Sequence, residues 1–251
     1  MPHRSDLLFQ GGNCQTCRTP MPGKADTMTT FVQTSLKRLA DPAKAIAMAA
    51  YMKTTQPFYG VQTPDRQPIV KELKARFAPS QHRDYQRGVL SLWKLPHREE
   101  RYLAIAYARA HRGFITMESI PLYEQMIREG AWWDFVDEIA ANLVGAVLLS
   151  NRKQTRPIIE HWIDDRDMWI RRTALIAHLR HKSATDREQL FDHCIRRAAE
   201  KEFFIRKAIG WALREYSKTD PAAVQLFIRQ NASRLSPLSV SEGSKHLHRT
   251  R

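Results

Sequence analysis

From Thr29 onward the apolar residues recur at intervals of three and four, the spacing of one helical face, and no stretch alternates in the manner of a half-buried strand. Ile139, Leu143 and Val147 form one such stripe, and Ile205, Ile209, Ala212 and Tyr216 another. The pattern predicts an all-α chain with helices near 29–39, 42–54, 64–76, 80–93, 97–111, 118–129, 133–149, 153–163, 167–181, 186–198, 201–218, 221–230 and 239–248. Several starts are marked by chemistry. Asp41-Pro42, Thr63-Pro64 and Asp220-Pro221 each set a capping side chain before a proline in the first turn. Thr185 with Glu188, and Ser239 with Glu242, have the spacing of a capping box. Short connections between amphipathic helices imply antiparallel pairs. A pair recurring every ~35–40 residues is the period of a HEAT-type superhelical solenoid, whose basic concave face is the natural binding surface.

The periodicity stops before Thr29. "FQGGNCQTCRTPMPGKAD" is rich in Gly, Pro and polar residues, so residues 1–27 are expected to be a disordered extension and residues 28–251 one folded domain. Cys14 and Cys17 form a CxxC, but no second pair or Cys/His cluster accompanies them and Cys194 is distant. Neither a metal nor a redox site is expected.

Charge narrows the partner. The 251 residues carry 40 Lys+Arg against 26 Asp+Glu, a formal charge of +14 and a pI near 10.0, so the summed field attracts polyanions, nucleic acid foremost. No apolar run approaches the ~18 residues of a membrane helix and no secretory leader is seen. The expectation is a cytoplasmic protein associated with the nucleoid, without membrane contact.

Three helices set tryptophan beside charge. In "GAWWDFVDEIA", Trp133 and Asp137 stand four apart on a face separate from the Ile139 stripe. In "KEFFIRKAIGWALREYSK", Lys207, Trp211, Arg214 and Lys218 share a face opposite the core stripe. In "DMWIRRTALIAHLRHK", Trp169, expected to face outward, lies beside Arg171 and Arg172, either of which can grip a phosphate. Cations meet phosphates and aromatics pack on sugar or base, although each set also reads as ordinary solvated surface. Asp137 is the odd residue, since a carboxylate opposes a polyanion. Two explanations stand side by side: it pairs with an arginine of the next repeat, or it serves a reaction that develops positive charge. Cleavage of an N-glycosidic bond passes through an oxocarbenium-like sugar, and an alkylated, already cationic base leaves without a general acid.

"AAYMKTTQPFYGVQTPDRQ", "LWKLPHREER", "AWWDFVDEIA", "WIRRTALIAHLRHK" and "KEFFIRKAIGWALREYSKTDP" resemble, in order, blocks of the AlkD family of HEAT-like-repeat DNA glycosylases, over Met28 to the C-terminal segment. The resemblance implies excision of N3- and N7-alkylated purines from duplex DNA at the protein surface, by a monomer without metal or organic cofactor. It places the catalytic aspartate on Asp137, the cleft tryptophans on Trp133 and Trp211, and the family-block arginine on Arg172, next to Thr173 where the family has alanine. Tyr51 and Gln62 fall on cleft-lining positions. Arg171, Arg172, Lys207 and Arg214 complete the expected DNA contacts. Asp134 is expected to cap its helix, and no other carboxylate or histidine is expected on the face of Trp133 and Asp137. A non-catalytic DNA-binding protein and a protein-interaction scaffold are the rival readings.

Overall fold

The structure, a computed structural model, describes residues 24–247; the expectations for Cys14 and Cys17 lie outside them. The described residues form helices joined by short turns, with no strand: α1 Lys24–Arg38, α2 Pro42–Met52, α3 Thr63–Arg76, α4 His82–Trp93, α5 Arg98–Ala110, α6 Ile120–Gly130, α7 Trp133–Ile139, α8 Gly145–Ser150, α9 Arg152–Trp162, α10 Met168–Ile176, α11 Arg187–Arg196, α12 Phe203–Tyr216, α13 Pro221–Gln230 and α14 Pro237–Ser244. The first helix starts at Lys24, within the stretch 1–27 expected to be a disordered extension.

Asp41 and Asp220 cap α2 and α13 as their sequence signals require, each accepting the backbone N–H three residues on. Three other start signals slip. Gln62 rather than Thr63 precedes α3, and Asp186 rather than Thr185 caps α11. Ser236 rather than Ser239 caps α14. In the last two cases another capping residue stands close by in sequence, and the chain used that one. The helix expected over 133–149 is interrupted: α7 passes through π-turns at Ala140–Val144 before resuming as α8. π-Bulges of this kind gather at functional sites, where they re-aim the side chains before them.

The helices stack in two layers. In one, α3, α5, α7–α8, α10, α12 and α14 touch in succession; in the other, α4 packs on α5, α6 on α7, α9 on α10 and α13 on α12 and α14. Between them runs one continuous apolar core containing Trp93, Tyr85, Tyr107, Tyr123 and Phe135. The repeat is written into the polar contacts as well. Trp93 Nε1 donates to Glu129 at 2.8 Å, 36 residues on, and Arg128 Nη2 to Asp165 at 2.7 Å, 37 residues on. Arg196 reaches back 36 residues to Glu160 at 2.9 Å. The same side of successive pairs thus meets again after one repeat, which is the geometry of a helical solenoid.

Candidate functional site

A cleft of about 790 Å³ opens where α2, α3, α5 and α7 converge. Trp133, Tyr51 and Gln62 all line it. Each is placed by an identifiable device. Gln62 follows a turn whose backbone N–H groups at Tyr59, Gly60 and Val61 all donate to the buried carboxylate of Glu99, at 2.8–3.0 Å. Gly60 has φ 85°, and a side chain there would collide with the Asp41 carbonyl, so only glycine closes this turn against the start of α2. Asp41 N–H in turn donates to Tyr59 O at 2.8 Å, tying α2 to the turn. Tyr51, near the far end of α2, is left 76% exposed at the cleft mouth.

Asp134 departs from expectation. Trp132 is the residue before α7 and Asp134 caps nothing; instead it accepts from Arg98 Nη2 with both oxygens, 2.6 Å each, and from the Tyr102 hydroxyl. The Arg98 guanidinium is buried and lies 4.2 Å from the Phe135 ring centroid. This network anchors the first turn of α7, and with it Trp133, to α5. The expectation that the face has no further carboxylate also fails, because Asp134 and Glu138 both line the cleft. Each already holds an arginine: Glu138 accepts from Arg109 at 2.6 Å.

Asp137 sits one helical turn beyond Trp133 with its side chain largely buried, and burial pushes its carboxyl above the usual carboxylate range against the opposing pull of Arg172. Arg172 grips it with a two-pronged hydrogen bond, Nε to Oδ1 at 2.7 Å and Nη2 to Oδ2 at 2.8 Å. Its third nitrogen donates to the Phe204 carbonyl at 2.5 Å, so one guanidinium joins α7, α10 and the first turn of α12. Arg172 is only 4% exposed. The sequence left pairing with an arginine of the next repeat open for Asp137, and the structure has that pair.

The other expected contacts are also engaged. Arg171 is bound to Glu200 at 2.9 and 3.0 Å and to the carbonyls of Asp165 and Arg166. Lys207 and Arg214 both reach Glu242, at 2.9 and 2.6 Å, and Lys245 joins them there. Lys245 and Lys207 donate to the Glu242 carboxyl and hold its pKa at about 2. Trp211 stands half-buried between Lys207 and Arg214 on the same helix and packs on the core. Trp169, expected to face outward, is buried among Trp132 and Phe204, with ring centroids 6.1 and 5.0 Å away.

A two-layered helical repeat with a cleft lined by Trp133, the carboxylates of Asp134 and Glu138 and the arginines Arg66 and Arg109 is an α-solenoid with a polar, aromatic groove between its helices. The sequence comparisons say which. Residues 32–247 match the family of DNA alkylation repair enzymes, and the chain belongs to that family. The fold also matches a solved structure described as a predicted DNA alkylation repair enzyme from Enterococcus faecalis, with TM-score 0.77 and 31% identity, covering 83% of this chain and 96% of that one. No curated protein matches.

The residues that sequence reasoning missed are Arg98, Glu99, Tyr102 and the true role of Asp134. A signal for Glu99 was present. Glu99 and Glu100 lie one turn before Leu103, Ala104, Tyr107 and Ala108, so they continue the buried stripe with charge. Charge on a core stripe announces buried acceptors with fixed partners.

Proposed function

We propose that this protein is a DNA glycosylase that hydrolyses the N-glycosidic bond of N3- and N7-alkylated purines in duplex DNA. It acts as a monomer on the chromosome, without metal or organic cofactor. The observation that carries this reading is Asp137: a carboxylate mostly withdrawn from water, fixed in orientation by both prongs of Arg172, one turn from a tryptophan at an open cleft. As the bond from C1′ to the ring nitrogen lengthens, positive charge grows on the deoxyribose and the electron pair leaves with the base. A charged carboxylate in a poorly solvated position stabilises that sugar cation strongly and orients the water that adds to C1′, whose surplus proton it passes on to solvent. Alkylation has already made the base cationic, so it departs neutral and needs no proton from the protein. Trp133 and Tyr51 supply aromatic surface for the sugar and the adduct, and Trp211, half-buried on α12, is proposed as a further aromatic contact.

The test is direct. Purified protein incubated with methylated duplex DNA is expected to release N3-methyladenine and N7-methylguanine and leave abasic sites. Duplex binding without release of any base would assign a non-catalytic DNA-binding protein. Absence of duplex binding even at low salt would assign a scaffold.

A further inference from the structure

The cations that the helical faces single out are poorly suited to phosphate. Arg172 is held by Asp137, Arg171 by Glu200, and Lys207 and Arg214 share Glu242. An arginine already gripping a carboxylate gains little by exchanging it for a phosphate. The field that draws DNA in must come from cations without a carboxylate of their own.

The structure offers two such groups in one place. Beyond Gln67, Val70, Ala106 and Arg109 the cleft continues into a second hollow of about 700 Å³ along α8 to the turn after α10. The four residues just named line both hollows, so the two form one groove. Four arginines line the groove. Arg66 donates to the Val61 carbonyl and the Thr63 hydroxyl, and Arg109 pairs with Glu138. Arg112 and Arg180 are exposed and, among the described residues, their side chains have neither a hydrogen-bond nor an ion-pair partner. Both stand just past the C-terminal ends of helices in the same layer, Arg112 after α5 and Arg180 after α10, where helix dipoles favour a cation without needing a carboxylate nearby. Leu149, exposed at the end of α8, lines the same hollow and supplies apolar surface of the kind deoxyribose packs on.

We propose that Arg112 and Arg180 are the principal phosphate contacts, and that the DNA backbone runs from the Trp133 cleft along α8 between them. The assignment rests on the glycosylase reading in taking duplex DNA as the ligand, and it moves the electrostatic footprint from α12 to the α5 and α10 ends of the groove.

The experiment measures duplex affinity over a range of salt concentrations for the full chain and for Arg112→Ala, Arg180→Ala, the double variant, and Arg229→Ala, an exposed arginine on α13 away from the groove. Removing one cation that neutralises a phosphate should lower the slope of log K against log salt by ~0.9, so the double variant should fall by ~1.8 while Arg229→Ala keeps the parent slope. An unchanged slope in the double variant overturns the proposal, as does an equal fall in Arg229→Ala, which would trace binding to net charge. Wild-type protein that fails to bind any duplex would instead overturn the proposed function itself, a result visible before any variant is compared.

Discussion

Replacing Asp137 with asparagine keeps the shape and removes the charge. Single-turnover base release is expected to fall by roughly 10²-fold or more, while duplex affinity stays equal or tightens because a negative charge beside a polyanion has gone. Near-wild-type excision by this variant would remove Asp137 from the chemistry. The same substitution leaves the buried Arg172 guanidinium facing an amide, so thermal unfolding should also show a loss of about 1–3 kcal/mol. The pair sets a pH dependence as well. In the proposed reaction Asp137 works ionised, and burial raises its pKa above the ordinary 3.8, so activity is expected to be lost on acidification at a pH higher than for a free aspartate. Arg172→Lys removes one of the two prongs that oppose the burial effect, so the acid limb of the rate profile should move to still higher pH. A limb that stays in place would mean that another group titrates there. At this scale Trp133, Tyr51 and Gln62 were legible, since family blocks put them in the cleft and the structure does too. Asp134 was not: helix position says which way a side chain leaves the backbone, and here the partner came from a residue 36 positions earlier.

Opposite charges one repeat apart are the signal that single-helix reasoning lacks. Arg98 with Asp134, Arg128 with Asp165, Asp137 with Arg172 and Lys207 with Glu242 are each separated by 35–37 residues and all form ion pairs. Once the period is known, such pairs can be read directly. Trp169 shows the complementary error. A helix in a two-layered stack touches a neighbour on either side as well as one beneath, so much less than half its circumference stays in water, and an aromatic that looks outward on an isolated helix is covered. The π-turns at Ala140–Val144 have no sequence mark of their own, but the glycine after them has a clear purpose. A side chain at Gly145 would drive into the Ala177 carbonyl at the end of α10. Gly145→Ala should therefore separate α8 from α10 and cost about 1–3 kcal/mol, lowering the melting temperature by roughly 2–4 °C for each kcal/mol. An unshifted melting curve would show that the two helices do not need to approach so closely.

For the molecule as a whole, all-α repeat architecture followed from apolar spacing and the short connections alone, whereas which cations face the groove depended on pairing that only the folded stack displays. The substrate range is decided at this level too. The carboxylates that line the cleft, Asp134 and Glu138, are occupied by Arg98 and Arg109, and among the residues lining it no group stands ready to protonate a departing neutral base. Hypoxanthine and uracil should remain attached under conditions that release N7-methylguanine, and appreciable hypoxanthine release from duplex DNA at neutral pH would refute the mechanism, because a positioned acid contributes ~10²–10⁴ in rate. The bond from Arg172 to Asp137 crosses from one repeat to the next, and a third bond from the same guanidinium reaches the repeat after that. The Asp137 carboxylate is in this sense wired to the pitch of the superhelix: the one guanidinium that holds it draws on three consecutive helix pairs, so its position follows the coil as a whole.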